Sequence, residues 1–199
     1  MKQTILGAGG SIGIELCKSL KEYTSNIRLV NRNPIKIHPT DDVFAADLTK
    51  KEDVFKSIHG SQITYVTVGF LYNIKVWRES WVPFIKNVID ACLLYDSKLV
   101  FFDNVYAIGS NNIVHITETS PMSPTSKKGE VRAEVDRLIL ENIDKKNLQL
   151  DTWIDWEQMI YPHSDYNEII TSGFTSKINL LNKNHFKIAV PLQGIIHHF

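Results

Sequence analysis

Cysteine is nearly absent from this chain of 199 residues, and the two present, Cys17 and Cys92, do not stand at metal-ligand spacing. Both fall in apolar, helix-like contexts, so two buried thiols in a reducing compartment are expected. An excess of either charge is also missing. Lys plus Arg and Asp plus Glu both number 22, for a formal net charge of zero, which removes the electrostatic case for nucleic acid or an acidic membrane as partner. Long hydrophobic runs are lacking. The stretch at 63–71 is far too short to span a membrane, and the first residues read as a strand rather than a leader. The seven histidines form no His-x-x-x-His or His-Glu pair, and His197-His198 reads as a chain end, so no metal is expected. What remains is a cytoplasmic protein with one domain, or one domain plus an appendage, whose partner is a small molecule. A homodimer stays open.

What is there is a strict alternation of strand and helix patterns. Apolar runs at 3–6, 27–30, 43–46, 63–68, 99–102 and 150–154 read as strands. Between them lie helical spacings: one after residue 11; one capped by Thr49, with Glu52 and Asp53 in its first turn, and ended by Gly60; one from about Trp81 to Leu94; and one from Gly129 to about Asn142. Residues 111–127 read as a polar loop. The fourth run is apolar on both faces, as a sheet buried between helices requires. The pattern predicts an α/β, Rossmann-like, doubly wound parallel sheet. After Asp155 it degrades, with a helix expected at 174–181.

The segment "LGAGGSIGIELCKSL" joins the first strand to the first helix. Gly7, Gly10 and Gly13 are spaced G-x-x-G-x-x-G. Gly7 permits a tight turn off the strand, Gly10 lets backbone amides approach a pyrophosphate, and Gly13 lets helix and sheet pack closely. The amides near Ser11 and Ile12 then face an anion from the helix N-terminus. No Lys-Ser/Thr follows the loop, so a Walker-type site is excluded. The second strand ends in Val30-Asn31-Arg32, with no acid to hold ribose hydroxyls. Arg32 suits a 2′-phosphate, so NADP fits better than NAD, which stays open; otherwise Arg32 is an exposed loop arginine.

With "GAGGSIG", "ADL" at 46–48, Gly69 after the fourth strand and "FFDNVYAIG" at 101–109, residues 3–155 resemble the NAD(P)-dependent epimerase/dehydratase family, the extended and atypical short-chain dehydrogenase/reductases. The resemblance implies that Asp47, with Leu48 beside it, meets the adenine and that Val68 and Gly69 line the ribose side. It also implies a Ser or Thr after the fifth strand and a Tyr-x-x-x-Lys on the next helix. Here Asn104 stands at the first position, and Lys128 and Arg132 stand at the pair. The combination of DN-V-Y with KG-x-x-R resembles a pattern of atypical members. Asp103, Asn104, Tyr106, Lys128 and Arg132 are therefore the candidate site. Tyr106, the phenol near the strand end, is the candidate proton donor, Lys128 and Asn104 are the further catalytic candidates, and Arg132 is a candidate for cofactor phosphate or ribose. A lysine can act as an acid only if burial or nearby cations lower its pKa, and an arginine does not give up its proton. The alternative is that Tyr106 packs at the sheet edge while Lys128 is a solvated charge at the helix start. Tyr72, Trp77 and Trp81, which follow the fourth strand, either stack on a ligand ring or pack the next helix.

The resemblance divides the chain into a nucleotide-binding domain, 1–155, and a short remnant of a substrate-binding region, 156–199. Trp156 stands there in place of a family arginine, and Tyr161-Pro162 keeps part of a turn. Two functions follow as expectations. One is an NAD(P)-dependent oxidoreductase or epimerase acting on a sugar nucleotide or small carbonyl. The other is a catalytically silent NADP-binding sensor or partner-binding protein.

Overall fold

The computed structural model describes residues 1–108, 120–146, 150–154 and 185–188. The helix expected at 174–181, and Trp156, Tyr161 and Pro162, lie outside them. Among the described residues seven strands form one sheet: β1 (Gln3–Leu6), β2 (Ile27–Asn31), β3 (Asp42–Ala45), β4 (Ile63–Val66), β5 (Lys98–Asp103), β6 (Leu150–Ile154) and β7 (His185–Ile188). All pairings are parallel, in the order β3-β2-β1-β4-β5-β6-β7. The helices are α1 (Ser11–Leu20), α2 (Lys51–Ile58), α3 (Ile74–Tyr95) and α4 (Lys127–Lys146), with a 3-10 turn at Val105–Ala107. β7 has no counterpart among the predicted strands; it extends the sheet by one edge strand beyond β6.

Alternation along the strands divides the core. Ile5, Leu29, Tyr65 and Val100 pack against Leu16, Cys17 and Leu20 of α1. Their strand neighbours Leu6, Val30, Val66, Leu99 and Phe101 point the other way, into Val54 and Ile58 of α2, Trp81, Ile85 and Val88 of α3 and Val131 and Val135 of α4. Helices on both faces are what an all-parallel sheet needs. Both thiols are buried and free, and burial pushes each up to about 12, so neither is a nucleophile at neutral pH.

Two helix starts differ from the sequence reading, and each difference shapes the cleft. α3 begins at Ile74 rather than near Trp81, because the Asn73 side chain accepts from the N–H groups of Lys75 and Val76 and caps it there. Pro83 therefore sits inside the helix, and Trp77 and Trp81 form an i, i+4 pair on its buried face. α2 is not capped by a Thr49 side chain. Asp47 Oδ1 instead accepts from Thr49 N and Oγ1, and Asp53 Oδ2 accepts from Asp47 N, so the acid of the "ADL" segment organises the turn. The strand order reverses between β1 and β4, and a crevice opens there beyond the carboxyl ends of the strands.

Candidate functional site

One cavity of about 890 Å³ runs along this crevice from the glycine loop to the end of β5. At its first end Gly7 has φ +91°, and a Cβ there would stand 2.8 Å from the backbone of Thr67 and Val68. Gly7 is thus required both by the turn and by the closeness of β4. A Cβ on Gly13 would stand 2.8 Å from Ala8 Cα and Gly7 O, so the close approach at Gly13 is to the glycine loop itself rather than to a strand of the sheet. Beyond Gly10 the space is clear, the nearest atom being Gly7 O at 3.6 Å. Gly9, which the motif passes over, has its own constraint: its Cβ would meet Asn31 Nδ2 at 2.5 Å. Gly10 caps α1, no side chain occupies the cap and the first turn holds no acid. The opening amides of α1, including those of Ser11 and Ile12, thus present a positive helix end to the cavity. Room beside Gly10 and an uncapped N-terminus fit a pyrophosphate.

Asn31, Arg32, Asp47, Leu48 and Thr49 line the next section, and Val68 and Gly69 face it from β4. Asn31 Oδ1 accepts from Asn33 N at 2.6 Å, which bends the chain after β2 and carries the exposed Arg32 to the rim. The hydroxyl and backbone N–H of Thr49 hold the Asp47 carboxyl below the usual carboxylate range, helped by the charges of Lys50 and Arg32. Asp47 therefore meets any ligand as an anion already carrying two hydrogen bonds from Thr49.

The far end is built at the junction of β5 and α4. Asn104 Oδ1 accepts from Tyr106 N at 3.0 Å and so caps the 3-10 turn that aims the tyrosine. The Tyr106 hydroxyl lies 3.1 Å from that of Tyr72, and partial burial together with this partner pushes its pKa up to about 12. Ser126 caps α4 by accepting from Gly129 N. Gly129 presses onto the turn, since a Cβ there would stand 2.3 Å from Tyr106 O. Only glycine lets α4 start this close, and the closeness sets Lys128 and Arg132 beside the strand end. Lys128 Nζ sits 2.9 Å above the Tyr72 ring and 5.8 Å from that of Trp77, and donates to Tyr72 O.

Arg132 is 1% exposed and forms a buried ion pair with Asp103, donating from Nε at 2.8 Å and from Nη2 to the same Oδ1. Its guanidinium lies over the rings of Trp81 and Phe101. Asp136, one turn further along α4, is also buried, and burial next to the Asp103 carboxylate raises its pKa well above the usual range. Burial, the Asp103 charge and a hydrogen bond with Asp103 all favour its protonated, donating form.

The structure thus gathers Asp103, Asn104, Tyr106 and Arg132 at one end of the cavity and puts Gly7, Gly10, Ser11, Ile12, Arg32, Asp47, Leu48 and Gly69 along it, while Lys128 stands against the Tyr72 ring and does not line it. Arg132 lines that cavity with its Nε and Nη2 engaged by Asp103 and its Nη1 not, and Lys128 is stacked on Tyr72 rather than paired with the Tyr106 hydroxyl. Asp136 was missed by the sequence reading. The available signal was its i, i+4, i+8 alignment with Arg132 and Lys128 on one helix face. Among the described residues no group of His, Cys, Asp or Glu is gathered to hold a metal ion.

A strand order of 3-2-1-4-5 and onward, with a glycine loop at its switch point, defines the Rossmann-like class of dinucleotide folds. Solved structures of this class superpose on the chain. Uronate dehydrogenase from Agrobacterium tumefaciens matches with TM-score 0.67 at 16% identity, over 76% of this chain and 58% of its own. Glucuronic acid dehydrogenase from Chromohalobacter salexigens matches with TM-score 0.69 at 16% identity, over 77% and 59%. UDP-glucose 4-epimerase from Thermus thermophilus, solved in complex with NAD, matches with TM-score 0.67 at 16% identity, over 77% and 54%. At these identities the likeness shows a shared fold, and the chain spans little more than half the length of each of these structures. A lipid A 3'-O-deacylase-type family model matches residues 139–199, a minor part of the chain that includes β6 and β7 of the sheet. No curated protein matches the sequence. No helix of the described residues is long and apolar enough to cross a membrane.

Proposed function

We propose that this chain binds NADP, in preference to NAD, and acts as an oxidoreductase or epimerase-like enzyme on a carbonyl or hydroxyl group of a sugar nucleotide or other small substrate. The observation that carries the reading is the single cavity that joins the uncapped α1 N-terminus and Gly10 to the hydroxyls of Tyr72 and Tyr106. The α1 amides would hold the pyrophosphate, Asp47 and Leu48 would border the adenine, and Arg32 at the rim would pair with a 2′-phosphate. When bound, the nicotinamide would supply hydride exchange with a substrate carbon. The chain's own part is positioning and proton supply. Asn104 fixes the turn that carries Tyr106, and Tyr106, protonated at neutral pH, can donate a hydrogen bond or a proton to a substrate oxygen. Lys128 holds positive charge at the Tyr72 face.

The raised Tyr106 pKa favours a second reading. With its phenolate disfavoured by burial and by Tyr72, Tyr106 gives up its proton reluctantly, which suits a silent NADP-binding protein that senses cofactor or binds a partner. Fluorescence titration with NADPH and NADH, followed by turnover across a panel of carbonyl compounds, separates the two. Saturable NADPH binding with turnover that drops in Tyr106→Phe supports the enzyme. Binding without turnover supports the sensor, and no binding of either nucleotide overturns both.

A further inference from the structure

Among the described residues, three buried donors at the β5 end of the cavity have no acceptor: Trp77 Nε1, Trp81 Nε1 and Arg132 Nη1. Their side chains are 5%, 3% and 1% exposed, and all three line the same cavity. They are also neighbours. The two indole centroids are 5.9 Å apart, and the Arg132 guanidinium carbon is 4.3 Å from the centroid of the Trp81 ring. Buried N–H groups rarely go unpaired, and donors cannot satisfy one another. Whatever fills this corner must therefore bring acceptor oxygens.

The geometry points to the carboxylate of a small hydroxy or oxo acid as the ligand of this corner. Two hydrogens on Arg132 Nη1 and one on each indole match the roughly four acceptor sites of a carboxylate. Charge agrees. Arg132 is neutralised by Asp103, and burial beside Asp103 disfavours the charged form of Asp136. Lys128, above the faces of Tyr72 and Trp77, leaves one positive charge to be met by one negative charge. A phosphate monoester brings more charge and a third oxygen than this donor set offers. The Trp77 ring centroid is 5.9 Å from that of Tyr106, so a carboxylate seated here would share its corner with the paired Tyr72 and Tyr106 hydroxyls, where a 2-hydroxy or 2-oxo group could meet Tyr106. That this carboxylate belongs to the substrate rests on the oxidoreductase reading; the donor set itself does not.

Indole N–H resonances report the inference directly. The full chain, uniformly 15N-labelled, is titrated with glycolate and, separately, with the uncharged isostere glycolamide, each with and without NADPH. Trp77→Phe and Trp81→Phe keep a ring in place, remove one donor each and assign the two peaks. Glycolate should move both peaks saturably and glycolamide should not, and each variant should bind glycolate about tenfold more weakly. Unmoved Trp77 and Trp81 peaks at saturating glycolate, or equal movement by glycolamide, would overturn the proposal. Should either variant fail to fold, the contrast between glycolate and glycolamide on the unaltered chain still decides. If glycolate moves the peaks while NADPH leaves the spectrum unchanged, the carboxylate corner stands and the dinucleotide reading falls. If NADPH binds and glycolate moves nothing, the reverse holds.

Discussion

The two ends of the cavity are made of different materials. At the glycine loop the work is done by backbone: a left-handed turn at Gly7, open space at Gly10, and an α1 N-terminus with no side chain over it. At the end of β5 it is done by buried side chains: an Arg132–Asp103 pair, an Asp136 whose protonated form is favoured and an aromatic wall of Trp77, Trp81 and Phe101. A backbone site recognises a group common to many ligands. A site of buried charge and oriented N–H groups recognises a particular one. The first end belongs to the glycine loop of the shared fold, and the second is where Lys128 and Arg132 stand in place of the tyrosine and lysine that the resemblance implies.

The contrast can be broken most forcefully at Arg132. Arg132→Met should cost about 3–5 kcal/mol in urea unfolding, because it strands Asp103 beside a second carboxyl. Arg32→Met, at the exposed rim, should leave stability unchanged and weaken NADPH alone. Equal stability effects from the two would show that the β5 end is not held by its buried pair. Next in size is Gly7→Ala, where left-handed strain and a clash with the β4 backbone should together cost about 2–5 kcal/mol and abolish nucleotide binding. Retained binding there would remove the argument that the turn shapes the site.

Asp136 sharpens the comparison through pH. Its pKa is raised in the folded chain, so its contribution is fully present below the unfolded carboxylate value and is lost as pH rises through the folded value. Melting curves should show stability falling over that window, by at most about 1.4 kcal/mol per pH unit. Asp136→Asn keeps a donor for Asp103 and should flatten the slope; an unchanged slope would mean that Asp136 is not the group titrating. The smallest stability effect is expected at Lys128. Lys128→Ala removes a half-buried cation from the Tyr72 face for about 0.5–1 kcal/mol, while weakening anion binding at the β5 end. Unaltered glycolate affinity in that variant would take Lys128 out of the site.

Sequence patterns made the first end legible because its requirements are local. Gly7 and Gly13 stand in one loop, next to the strand and helix that need them. Arg32 and Asp47 follow at the ends of the next strands. The β5 end was legible only in part. Asn104 and Tyr106 could be read from the strand end and Lys128 and Arg132 from the resemblance, but their partners are set by tertiary approach. Nothing near Lys128 in sequence indicates that its partner is the ring of Tyr72, or that Gly129 must be small because Tyr106 O lies against it. The early start of α3 was hidden for a similar reason. The apolar spacing starts the helix near Trp81, whereas the cap at Asn73 carries Trp77 into the helix and both indoles into the cavity wall.

The most direct test of the account is tryptophan emission during titration with NADPH, since Trp77 and Trp81 line the cavity that the nucleotide would enter. The account predicts saturable quenching by NADPH, weaker binding of NADH, and convergence of the two affinities in Arg32→Ala. No saturable change with either nucleotide would contradict it.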